Sequence, residues 1–209
     1  SDALSGLVDQ LESEIPRLMV KARAGDYFRI LKDLYLENNS RKVILFLGSN
    51  IGNFLPEQLD DFLKTLSDIT STGDMVLIGF DLKKSPSVLR DAYDDSHGFT
   101  KEFNINHLVR INHELGADFN TENFIHHAIY NPSTGAMESY LMSTCNQSVY
   151  VEAFDRTINF SAWESIFMEL SRKFSLEEID QLAVKYGFDK VENFLDDKKY
   201  FADCLWVRK

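Results

Sequence analysis

The stretch Val43–Pro56, VILFLGSNIGNFLP, decides how this chain is read. Val43, Ile44, Leu45, Phe46 and Leu47 form an unbroken apolar run, the pattern of a strand buried on both faces of a parallel sheet. Gly48 ends the run, and Ser49 and Asn50 set short polar side chains at its carboxyl end. Pro56 then opens a helical pattern over Pro56–Leu66, in the first-turn position where proline is tolerated. Ligands of open α/β sheets bind in the crevice beyond the carboxyl ends of the strands. Asn53 offers both a donor and an acceptor there. On these residues alone, an ordinary strand–loop–helix junction remains open as the alternative.

Working outward, Asp2–Ile15 has Leu4, Leu7, Val8, Leu11 and Ile15 on one face of a helix that Pro16 stops. Leu18–Ala24 reads as a short strand, Tyr27–Leu36 as a helix, and Met75–Phe80 as a second buried strand ending at Asp81. Helices alternating with apolar strands predict a parallel, doubly wound α/β sheet. The pattern changes after Asp81. Two helices, Pro86–Asp94 and Thr100–Leu115, precede strand-like stretches at Phe124–Tyr130, Met137–Thr144 and Ser148–Phe154, with a turn over residues 131–135. An inserted block of this kind builds a lid or subdomain over an α/β sheet. Ser175–Tyr186 is a helix with a Ser175/Glu178 capping box, closed by Gly187. Phe188–Leu195 and Tyr200–Val207 read as a terminal antiparallel pair.

Composition narrows the function classes. The chain of 209 residues carries a formal net charge of −11, which argues against a nucleic-acid or anionic-membrane partner. No apolar run reaches membrane-spanning length, and the first residues carry no signal-peptide pattern. The only cysteines, Cys145 and Cys204, suit a reducing cytoplasm better than a disulfide framework. His126 and His127 alternate faces in a strand, so no shared metal is expected of them, and His97, His107 and His113 are scattered. Glu169 and Ser171 share one side of an extended segment, a pair able to receive a cationic or N–H-bearing group. The same alternation fits a half-exposed strand with no ligand. Tyr93-Asp94-Asp95 reads as a helix end with solvated acids.

Four segments taken together say more than each alone. LFLGSNIGNF (45–54), IGFDLKKSPSVLRDAYDD (78–95), FNINHLVRINHELGADF (103–119) and ELSRKFS (169–175) resemble, in order and spacing, the histidine-specific, S-adenosylmethionine-dependent N-α-methyltransferases of ergothioneine biosynthesis. The resemblance implies a Rossmann-like methyltransferase sheet with S-adenosylmethionine as cofactor and an amino acid, L-histidine, as substrate. It implies that Asn53 and Tyr93 hold the α-amino and carboxylate groups, Tyr93 being the catalytic candidate. Glu169 and Ser171 would receive the imidazole. Asp26 and Tyr27 would edge the adenine pocket, Tyr27 standing where the family has Phe, and the floor would lie at Gly48–Asn50. Where the histidine enzymes place a Met beside the imidazole, this chain has Ser139, which bears on substrate preference.

The family's cofactor-binding glycine loop, and the acidic residue that grips the ribose, precede the stretch matched by Ser1. The chain thus reads as the C-terminal two-thirds, with the first strands of the sheet missing, and the isolated piece is expected to bind S-adenosylmethionine weakly. The units expected are a core of residues 1–82 and 160–209, and an inserted α+β substrate-binding lid over 83–159. Two other functions remain open from sequence: methylation of another small amine, and a degenerate methyltransferase domain that only binds a partner.

Overall fold

The computed structural model describes residues 2–25, 29–33 and 40–209. Its elements, in chain order, are α1 (Asp2–Glu14), β1 (Val43–Phe46), α2 (Pro56–Ile69), β2 (Met75–Asp81), α3 (Pro86–Tyr93), α4 (Phe99–Leu115), β3 (Phe124–Asn131), β4 (Ala136–Ser143), β5 (Gln147–Val151), β6 (Arg156–Phe160), β7 (Ser165–Arg172), α5 (Leu176–Lys185), β8 (Phe188–Leu195) and β9 (Phe201–Arg208). Short 3₁₀ turns lie at Asn50–Asn53, Thr121–Asn123 and Glu152–Phe154, and residues 29–33 are helical. Of the helix expected over Tyr27–Leu36, the remaining residues fall outside the described ones.

The first sheet has the order β1-β2-β9-β8. β1 and β2 are parallel, Val43 opposite Met75 and Phe46 opposite Ile78. β9 runs antiparallel between β2 and β8, so the chain closes with a reversed hairpin. This is a mixed α/β sheet in which β1, β2 and β8 share one direction and β9 is reversed. α2 covers it because Leu59, Phe62, Leu63, Leu66 and Ile69 recur at helical spacing and are all buried. The Leu55 N–H starts that helix by donating to Gln58 Oε1 at 2.9 Å, and Pro56 follows at the position where its missing N–H costs nothing. Phe62, Ile78, Phe80, Phe174, Phe188 and Trp206 fill the core between α2, α5 and the sheet. Burying each such side chain contributes roughly 1.5–3 kcal/mol.

Two expectations are corrected here. Leu18–Ala24 is irregular rather than a strand, and Met19 is 91% exposed. A strand-forming run becomes a strand only where a neighbouring backbone satisfies its N–H and C=O groups, and among the described residues none pairs with 18–24. β1 is not buried on both faces: it is an edge strand with Val43 and Leu45 each 60% exposed. Its pairing, among the described residues, is with β2 alone. Otherwise the terminal hairpin and the α5 capping box match the reading. Ser175 Oγ accepts from the Glu178 N–H at 3.2 Å, and Glu178 Oε2 accepts from the Ser175 N–H at 2.7 Å.

A second sheet, β3-β4-β7, forms from the inserted block, with β5 and β6 as a separate hairpin. β7 lies within the span assigned to the core from sequence, yet it pairs antiparallel with β4 and completes the second sheet. Its register shifts between Ser139 and Tyr140: Ser139 stands opposite Glu169, whereas Tyr140 stands opposite Phe167. Met168 is therefore an extra residue, a β-bulge. The bulge changes which side chains face inward. Ser171 and Glu169 face inward with Met137 and Ser139 on the C-terminal side of it, while Met168 and Ile166 pack into the apolar cluster of Leu108, Leu141 and Phe160 on the other. α3 covers the site end of that face, where Leu89 is buried with Ala128 and Met137, and Tyr93 and Tyr130 pack against them. The two sheets meet where Leu82 bridges Phe174 in parallel and Lys83 N–H donates to the Phe174 carbonyl at 2.9 Å. No helix among the described residues is long and apolar enough to cross a membrane.

Candidate active site

The seam between the sheets gathers polar side chains around Lys173, directly after β7. Its side chain is 1% exposed. The ammonium donates to Tyr93 Oη at 2.9 Å and to Ser171 Oγ at 2.8 Å, and pairs with Asp81 Oδ2 at 2.7 Å. It also lies 4.8 Å from the Tyr93 ring centroid, a cation–π distance. An ammonium so buried persists only when paired and fully hydrogen-bonded, and these acceptors match its three donors. Asp81 shares its other oxygen with Lys84, and its backbone N–H donates to Ser49 Oγ at 3.0 Å.

This cluster joins two of the residues singled out from sequence, and two more stand beside it on the same face. Tyr93, from α3, and Ser171, from β7, meet at Lys173. Glu169, half-buried, and Ser139, 1% exposed, stand opposite each other on β7 and β4. Ser139 Oγ finds no hydrogen-bond partner among the described residues. Asn53 is exposed at the end of the 3₁₀ turn, and its neighbour Gly52 presses that turn onto β7. A Cβ on Gly52 would lie 2.7 Å from the Arg172 carbonyl oxygen and 3.6 Å from Ser171 Oγ, so only glycine permits the approach. Gly48, with φ +82°, and Ser49, with φ +61°, turn the chain out of β1 toward Asp81. Asp26 and Tyr27 lie outside the described residues.

Lys173 was not singled out from sequence, although Glu169, Ser171 and Lys173 recur at the period of two that puts them on one face of a strand. Of the two histidines expected on opposite faces of a strand, His126 is the inward one. Both its ring nitrogens are buried and unpartnered among the described residues, and this desolvation pulls its pKa down. His127 is exposed. Asp95, read as a solvated acid, caps α4 instead: its carboxylate accepts from the Phe99 and Thr100 N–H groups at 3.0 and 2.8 Å. Those bonds, the Thr100 one foremost, hold its pKa at about 2. Among the described residues no group of three or more His, Cys, Asp or Glu is placed to hold a metal. Cys145 and Cys204 are free thiols, and burial pushes Cys204 up to about 12.

The chain is similar to known proteins along nearly its whole length. The profile of the family described as histidine-specific methyltransferase, SAM-dependent, matches residues 1–208. The chain is 35% identical over 196 residues to a histidine N-alpha-methyltransferase of Mycolicibacterium smegmatis, covering 94% of this chain and 60% of that protein. It is 33% identical over 205 residues to the protein of the same name in Mycobacterium tuberculosis, covering 98% and 63%. An L-tryptophan methyltransferase of Psilocybe serbica is 30% identical over 206 residues, covering 94% and 55%. The chain thus spans about three fifths of the length of the two histidine relatives. It belongs to the family of histidine-specific, S-adenosylmethionine-dependent methyltransferases.

Proposed function

We propose that the protein carrying this chain is an S-adenosylmethionine-dependent N-methyltransferase acting on the α-amino group of an amino acid, L-histidine. The observation that supports this most directly is the Lys173 cluster. It draws Tyr93 and Ser171, 78 residues apart in sequence, onto one inward face beside Glu169. The acidic composition and free cysteines support a cytoplasmic protein.

The described residues fit one wall of a cofactor site. At Gly48 an added Cβ would meet nothing nearer than Asn50 Nδ2 at 3.8 Å, so the backbone beyond the carboxyl end of β1 is open to a bound group. Gly48–Asn50 would form that floor. When bound, S-adenosylmethionine would supply an electrophilic methyl on a sulfonium for transfer to the amine, the sulfur leaving as a neutral thioether.

The chain's own residues act on the amine. Asn53 and Tyr93 hold the α-amino and carboxylate groups, and the Tyr93 hydroxyl orients the lone pair once the ammonium has lost its proton. Glu169 accepts from an imidazole N–H, a charge-assisted bond, and Ser171 meets the other ring nitrogen. Fixing the nucleophile at attack distance is the main catalytic contribution. The block over 83–159, with α3, α4, β3 and β4, serves as the substrate-binding lid, and β7 from the core span pairs with its sheet.

A second reading, methylation of a different amino acid, is favoured by the polar Ser139 opposite Glu169 and by the likeness to a tryptophan enzyme. One experiment separates the two. In the full-length protein, Tyr93→Phe lowers kcat/KM on every accepted amino acid alike. Glu169→Ala changes the preference for histidine by about 1.5–3 kcal/mol, the value of a hydrogen bond to a charged group. An unchanged ratio between histidine and other amino acids rules out the imidazole assignment.

A further inference from the structure

We propose that Lys173 is a positioning residue of the site: its ammonium fixes which way the Tyr93 and Ser171 hydroxyl protons point. The inference rests on the reading of Tyr93 and Ser171 as substrate contacts. A lysine ammonium has three donors and no acceptor. With Asp81 Oδ2, Tyr93 Oη and Ser171 Oγ all within 2.9 Å, each donor has its own acceptor. Neither hydroxyl can give its proton back to the ammonium. Each therefore keeps that proton, and one lone pair, for the side away from Lys173.

The arrangement resists rotation because its parts come from different elements. Asp81 ends β2, Tyr93 ends α3, and Ser171 lies on β7. The Lys173 backbone is fixed as well, its N–H donating to the Gly135 carbonyl at 2.9 Å, and the next residue's N–H to the Asp81 carbonyl at 3.0 Å. A hydroxyl held this way is oriented before substrate arrives, so no ordering cost remains to be met on binding. At Ser171 the outward proton suits a bare imidazole nitrogen, while Glu169 on the same face accepts from the protonated one. The site then reads one tautomer of a neutral imidazole. At Tyr93 the remaining lone pair is left for an amine N–H.

The test is a pair of double-mutant cycles in the full-length protein with L-histidine as the probe. Ser171→Ala, Tyr93→Phe and Lys173→Met are each expected to lower kcat/KM, Lys173→Met on the order of 10- to 100-fold, as misplacement of reacting groups does. Adding Lys173→Met to Ser171→Ala or to Tyr93→Phe should then cost less than its effect in the wild type, because there is one hydroxyl fewer to orient. Losses that multiply independently, or a Lys173→Met variant as active as wild type beside impaired single variants, overturn the positioning role and leave the substrate reading standing. Single variants Ser171→Ala and Tyr93→Phe that match wild type overturn the substrate reading itself, and this inference with it. Should Lys173→Met not fold, the wild type labelled with ¹⁵N-lysine decides. One ammonium signal protected from solvent exchange, shifted by saturating L-histidine and lost in Tyr93→Phe, supports the assignment; a Lys173 signal indifferent to histidine refutes it.

Discussion

The two sheets contribute to the site in different ways. The first supplies backbone: Gly48 and Ser49 turn at positive φ, and Gly52 lies flat against the Arg172 carbonyl. The second supplies side chains: Ser139, Glu169 and Ser171 project inward from paired strands. The first sheet also supplies the Asp81 carboxylate that pairs with Lys173. Where backbone forms the wall, a substitution matters through the space a Cβ needs. Where side chains form it, a substitution matters through the hydrogen bond removed. The first kind of damage is felt by any ligand, and the second depends on which ligand is bound.

Asp81 offers the severest way to break this division. Asp81→Ala leaves the buried Lys173 ammonium without its counter-charge, and removing one partner of a buried ion pair costs about 3–5 kcal/mol. Urea denaturation at neutral pH measures it, and a loss below about 1 kcal/mol, the range of exposed ion pairs, shows that the junction is held by other contacts. Gly52→Ala comes next. Its Cβ would fall 2.7 Å from a backbone oxygen that has no rotamer to change, so the turn must lift from β7, at about 1–3 kcal/mol of overpacking. Kinetics on several amino acids should fall together, in contrast with Glu169→Ala.

The smallest effect lies on the opposite side of β7 and sharpens the comparison by pH. Glu178 pairs with Lys83 at 2.8 Å and with Arg172 at 3.3 Å, tying both sheets together in partly exposed surroundings. Burial alone would raise its pKa, but bonds from Lys83 and the Ser175 N–H outweigh this and hold it at about 2. The folded value lies below the ordinary 4.5, so the contribution is complete above about pH 4.5 and fades as the pH falls toward about 2. Glu178→Gln should be less stable than wild type at neutral pH, and the two urea midpoints should converge across that acid window. Parallel curves would assign the acid sensitivity to other carboxylates.

Much of the first sheet was legible because its signals are local. Pro56 marks a helix start, Ser175 and Glu178 cap another, and the apolar run of β2 does form a strand buried between two partners. What misled was partnership. Residues 18–24 and β1 have strand-like composition, but exposure is set by what lies beside a strand, and sequence does not name the neighbour. β6 is hard to read from sequence because it is five residues long and its apolar face is Ile158 and Phe160 alone. β7 was only half seen. Glu169 and Ser171 were read as one face of an extended segment, yet the strand as a whole breaks its alternation at Met168. Lys173 sits at the end of the same period, and sequence alone does not show that a lysine there is buried.

Met168 also makes the length of β7 a property distinct from its composition. The strand is written in two phases, one addressing the polar end and one the apolar cluster. Any substitution in either phase alters a single side chain. Deleting Met168 would instead close the bulge: Phe167 would follow Glu169 in regular pairing with Tyr140 beside Ser139, every remaining side chain would keep its face, and the apolar cluster would lose the Met168 side chain alone. A residue lost at Met168 is therefore absorbed by the pairing, whereas a residue gained or lost elsewhere in the strand would turn one of its two halves over.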